Sequence, residues 1–103
     1  MKVNDVVRIN EWKRGLRVKS VSEDGKWIIA TTPSFGKSLY SIINTKTMEA
    51  GTDDRVFSHH DYMTKEDCDS AIDELVNGKL NIGRRNRCDI KVLYVNGVKQ
   101  NDN

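Results

Sequence analysis

Cysteine and proline are both scarce. The 103-residue chain has two cysteines and one proline. Two cysteines cannot build a disulfide scaffold, and one proline with seven glycines leaves the chain sparsely punctuated. Low-complexity stretches, repeats and internal linkers are missing. No apolar run approaches the ~20 residues of a membrane-spanning helix, so no membrane association is expected. The opening MKVNDVVRIN carries Asp5 and alternates too early for a signal peptide. An excess of one charge is missing too: seventeen Lys and Arg meet fifteen Asp and Glu, for a net +2, which by itself selects no partner. These absences lead to the expectation of a small cytoplasmic protein.

With 37% hydrophobic and 31% charged residues the chain suits a polar globular protein. Its length suits one domain, expected over residues 1–99, with the polar tail 100–103 frayed. The first half is a succession of strands. Val3, Val6, Val7 and Ile9 open it, and residues 10–15 (NEWKRG) break it. Leu16 to Val21 alternates, but Val21 falls out of phase, which marks a bulge or a strand end. Asp24-Gly25 signals a tight turn. Trp27 to Thr32 has the β-branched and aromatic character of a buried strand, with Trp27 in the core. Residues 33–37 read as a loop and 38–44 as a further strand. Residues 46–54 read as a loop, or as a hairpin onto Arg55-Val56-Phe57.

One helix follows, near 65–77. Thr64 is its N-cap and Asp67 completes an approximate capping box. Met63 and Cys68 occupy hydrophobic-staple positions. Cys68, Ala71, Ile72, Leu75 and Val76 share one apolar face. Glu66, Asp67 and Asp69 crowd the positive end of the helix dipole, and Gly78 ends the helix. Leu80 and Ile82 read as an extended link and residues 83–87 as a basic turn. Residues 89–95 form a strand with Ile90, Val92 and Tyr94 on one face, and Asn96-Gly97 signals a hairpin to Val98. The expected class is α+β: a small curled antiparallel β-sheet or SH3-like barrel, with one helix before the last strand or hairpin.

The cadence Asp5-Val6-Val7-Arg8-Ile9, Val18-Lys19-Ser20-Val21, Gly25-Lys26-Trp27-Ile28-Ile29 resembles the opening of SH3-like and KOW-type small barrels. The resemblance covers residues 3–44. A KOW motif places a glycine within its basic turn and closes as a compact repeat, whereas here an acidic helix follows. With YSIIN, GTDDRVF and RRNR, the chain also resembles small proteins encoded by phages and prophages. That resemblance implies an accessory or host-takeover role in the host cytoplasm.

Enzyme motifs are missing: no P-loop, GxGxxG, GxSxG or HExxH. Ser58, His59 and Asp61 are sequence neighbours, which seldom present triad geometry. No catalytic residue is expected. His59, His60, Cys68 and Cys88 are spaced H-H-x7-C-x19-C, which fits no standard zinc pattern, so no metal and no cofactor is expected. A Cys68–Cys88 disulfide is geometrically open if the helix packs on the last strand, though a reducing cytosol opposes it.

Charge is distributed unevenly. Segment 61–78 holds six acids and one base, a net of −5, which leaves +7 on the rest of the chain. Two uses follow. The acidic helix face, with Glu66, Asp69, Asp73 and Glu74, would bind a host or viral protein, as inhibitor or adaptor; this is the leading expectation. The alternative is nucleic-acid binding through Trp12, Lys13, Arg14, Arg17, Arg84, Arg85 and Arg87, since arginine forks suit phosphate and an aromatic can stack on a base. The two basic clusters would merge if barrel closure brought the first and last strands together. Ordinary solvated charge accounts for both features as well.

Overall fold

The computed structural model describes residues 1–10, 15–32, 39–54, 64–83 and 86–100, residue 39 through its backbone alone. Trp12, Lys13, Arg14, Ser58, His59, His60, Asp61, Met63, Arg84 and Arg85 lie outside the described residues, as do 33–38, 55–57 and 101–103. The elements run β1 (Val6–Ile9), β2 (Leu16–Val21), β3 (Trp27–Thr32), β4 (Leu39–Asn44), β5 (Glu49–Gly51), α1 (Lys65–Val76), β6 (Asn86–Arg87), β7 (Ile90–Val95) and β8 (Val98–Lys99). The strands form one antiparallel sheet in the order β6-β5-β4-β3-β2-β1-β7-β8.

β6 and β7 stand far apart in that order, yet only Cys88 and Asp89 separate them in the chain. The sheet therefore curls into a half-barrel that brings its β6 end to the side of β1. Three hydrogen bonds hold the seam: Cys88 N–H to the Met48 carbonyl at 2.9 Å, Asn10 N–H to the Asp89 carbonyl at 2.8 Å, and Asp89 N–H to Asn10 Oδ1 at 2.8 Å.

Strand alternation divides the core in two. Val7, Ile9, Leu16, Val18, Ile28, Ala30, Ile43, Ala50 and Cys88 meet inside the curl. Ile29 and Ile42 point the other way and pack with Cys68, Ala71, Ile72 and Leu75 of α1, and with Leu80 and Ile82. The central strands β3 and β4 are thus buried on both faces, which explains their unbroken apolar character. Trp27 and Tyr40 flank the helix-side cluster, Trp27 partly exposed with the Lys26 ammonium 5.3 Å from its ring centre.

The phase slip in β2 is a bulge. Val18 pairs with Ala30 but Ser20 pairs with Ile29, which leaves Lys19 as the extra residue. Val21 thereby returns to the interior, opposite Ile28, and Ser20 turns toward α1.

α1 is capped at both ends. Thr64 Oγ1 accepts from Asp67 N–H at 3.1 Å. At the other end Gly78 N–H donates to the Leu75 carbonyl and Lys79 N–H to that of Glu74, with Gly78 at φ +71°. This is the Schellman arrangement.

Several expectations are corrected. Val76 is 59% exposed and does not belong to the buried helix face. Residues 46–54 are not one loop: Glu49–Gly51 returns as β5 against β4. Asn86 and Arg87, expected in a turn, pair with β5. Cys68 and Cys88 are free and lie in the two different clusters. The helix packs on β2 and β3, away from β7, so the route to a disulfide is closed.

Candidate functional site

Among the described residues the outer face of the sheet is divided between the helix and a set of cations. α1 covers it over β3 and the end of β2. The remainder, over β2, β1, β7 and β8, carries cations. These four strands contain Arg8, Arg17, Lys19, Lys91 and Lys99 and no acidic residue.

Their placement follows from register. Val7 and Ile9 point inward, so Val6 and Arg8 point outward. Val6 pairs with Arg17 on one side and with Tyr94 on the other, and Tyr94 pairs with Lys99. Arg17, Val6, Tyr94 and Lys99 therefore form one row across four strands. Arg8 and Lys91 pair in the neighbouring part of the same face.

Clean alternation puts Tyr94 on one face with Ile90 and Val92, and the structure separates them. The pairing of β1 with β7 shifts between Val6 and Val7, so that Val7 faces Val92 while Val6 faces Tyr94. Leu93 is the extra residue, and Tyr94 is carried to the outer face, where it is 38% exposed. A shallow groove of about 520 Å³ runs beside it, lined by Asn4, Val6, Arg17, Tyr94, Asn96 and Gly97. Gly15 closes the neighbouring approach: a Cβ there would stand 2.8 Å from Val6 Cγ1. Arg8 is half-buried, and its Nε–H makes no hydrogen bond among the described residues.

Of the basic set expected from sequence, Arg17 and Arg87 alone are among the described residues, and they stand apart. Arg17 of β2 shares the outer face with Lys91 of β7, because β1 pairs with both strands. Arg87 lies on β6 opposite Glu49 and lines the seam near Asn10 and Cys88. Val6, Arg8, Tyr94 and Lys99 were missed. Residue type and spacing signalled none of them, since the register shift at Leu93 decides which way Tyr94 faces.

The acidic helix face is also rearranged. Glu66 and Asp73 are exposed, and Glu74 is half-buried. Asp69 is committed within the molecule. It accepts from the Lys65 ammonium at 2.8 Å and from the hydroxyl of buried Ser20. The Lys65 hydrogen bond, then that of Ser20, holds the Asp69 carboxyl below its ordinary value, and Asp69 in turn raises Lys65.

A second concavity of about 210 Å³ opens at the seam, lined by Ile9, Tyr40, Ala50 and Cys88 among others. Burial raises the Cys88 thiol above its ordinary value and pushes the Cys68 thiol up to about 11, so neither is poised as a nucleophile. Among the described residues no group of three His, Cys, Asp or Glu could hold a metal ion. No described helix is long and apolar enough to cross a membrane. No protein-family model, no curated protein and no solved structure matches the chain.

Proposed function

We propose that this protein is a non-enzymatic nucleic-acid-binding module that holds a phosphate backbone against the outer face of β2, β1, β7 and β8. One observation carries this: four adjacent strands present cations and an exposed aromatic without a single acid. The resemblance of residues 3–44 to SH3-like and KOW-type barrels supports it, since entry strand, second strand, glycine turn and third strand follow in that order. A phage-type accessory role in the host cytoplasm is in keeping with it.

Counterion release gives the test. Affinity for nucleic acid should fall by roughly 0.7 to 0.9 log unit per log unit of salt for each phosphate neutralised. Arg17→Ala with Lys99→Ala should weaken binding at all sequences and flatten that slope by about two. A folded double variant that binds with unchanged affinity and slope would overturn the assignment.

Val76 favours a second reading. It is 59% exposed on the helix that carries Glu66 and Asp73, and an apolar side chain beside exposed acids suits a docked host or viral protein. Since Asp69 serves the fold, the acids to test are Glu66 and Asp73. Capture from host lysate that survives nuclease and disappears with Glu66→Lys/Asp73→Lys would favour this reading, while capture that disappears with nuclease would favour the first.

A further inference from the structure

The position of Tyr94 follows from strand pairing and not from core packing. The register shift at Leu93 removes it from the interior and places its ring between cations. Lys99 is its immediate cross-strand neighbour, and Arg17 lies two strands away beyond Val6. With strands about 4.8 Å apart, the backbone at Lys99 stands about 5 Å to one side of Tyr94 and that at Arg17 about 10 Å to the other. The groove beside the ring is rimmed by Asn4 and Asn96, whose amides can both donate and accept hydrogen bonds.

A duplex offers an aromatic platform no free base face. Its base faces are stacked inside, and its base edges lie at the bottom of grooves that admit a helix or a β-ribbon. The helix of this protein is on the other part of the sheet and turns acids outward. A duplex would meet the cations and, even with the β7–β8 ribbon at a groove, would leave the face of the Tyr94 ring without a base to stack on. A single strand exposes both phosphates and base faces, and aromatic platforms flanked by positive charge hold such strands.

We propose that the nucleic acid bound on this face is single-stranded, with one base stacked on the Tyr94 ring and phosphates on either side held by Arg17 and Lys99. This rests on the nucleic-acid function proposed above and narrows it. The asparagines at the groove rim then face the edge of the stacked base, and the row across β2, β1, β7 and β8 sets the path of the strand.

The experiment is fluorescence anisotropy at one salt concentration, with labelled oligothymidylate and a duplex of the same length. The proteins are wild type, Tyr94→Ala, Tyr94→Phe and Arg17→Ala/Lys99→Ala. The single strand should bind about tenfold or more tighter than the duplex. Tyr94→Ala should weaken the single strand by about tenfold or more and leave the duplex unchanged, while Tyr94→Phe, which keeps the ring, should bind as wild type. Circular dichroism reports whether Tyr94→Ala is folded. Independently of that variant, the ring protons of Tyr94 in the wild type should shift upfield when oligothymidylate is added. Equal affinity for strand and duplex, a folded Tyr94→Ala that binds the strand as wild type does, or unshifted ring protons in the bound state would each overturn the stacking. If the cation variant then still weakens both ligands, the phosphate-binding face stands without it. Failure of both ligands to bind would remove the function and the narrower inference together.

Discussion

Ser20 and Asp69 tie the helix to the sheet through a buried hydroxyl and a half-buried carboxylate. Ser20→Ala should lower stability by about 1 kcal/mol at neutral pH, measured by urea denaturation. The Lys65 contact adds little of its own, since both partners are about half exposed. Asp69→Asn should also destabilise, and its effect should depend on pH. The folded carboxyl titrates below its unfolded value, so the folded state binds fewer protons in that window. The stabilisation is present above the unfolded value of about 3.9 and is lost as pH falls through the folded one. Melting curves of wild type and Asp69→Asn should therefore differ at neutral pH and converge at acid pH. Asp24 acts in the same direction, its carboxyl lowered by the Lys26 N–H and the Ser22 hydroxyl. For the thiols, thiol-reactive dye should count two free groups in denatured protein. In the native state Cys68 should react far more slowly, because burial pushes it up to about 11.

At the scale of elements, α1 was legible in advance because its signals are local. Cap, apolar spacing and terminal glycine all lie within one segment. Thr64→Ala should cost about 1 kcal/mol. Gly78→Ala should cost about 1 kcal/mol as well, purely through its left-handed backbone, since a Cβ there meets nothing within 4 Å. Ile72→Ala should cost more, about 2 to 5 kcal/mol, because Ile72 is buried against the sheet. Thermal or urea unfolding of the three variants checks the ranking. β2 was legible to the level of its bulge, because Val21 broke the alternation. β7 was legible as a strand near 89–95 but not in its bulge, since Ile90, Val92 and Tyr94 alternate cleanly and the shift at Leu93 exists only in the pairing with β1. β6 was equally silent: Asn86 and Arg87 are exposed and polar, and they become a strand only because β5 offers an edge.

Across the whole molecule, charge is sorted by position on one sheet face. Among the described residues, α1 covers part of the outer face and turns acids to solvent, while the strands beyond it present bases. Such a field orients an approaching polyanion toward those strands. Glu66→Lys with Asp73→Lys should therefore tighten nucleic-acid binding at low salt without touching the groove. The gain should fade as the Debye length shortens to about 8 Å near physiological salt. Anisotropy titrations at several salt concentrations would show it. A gain that persists at high salt would mean direct contact of the helix with the ligand.

By itself the sequence determined the local facts: one capped helix, the strands from β1 to β4, the tight turn at Asn96-Gly97, and a net charge of +2 split into an acidic segment and a basic remainder. These follow from neighbours in the chain, where propensity, capping and alternation act. Tertiary structure alone decided which strands pair, that β1 lies between β2 and β7, and that the sheet curls until Cys88 and Asp89 bridge its seam. Those pairings set the register, and register decides facing, because a shift of one residue turns a side chain to the other side of a sheet. Tyr94 reached the surface, and joined Arg17 and Lys99 there, through one such shift.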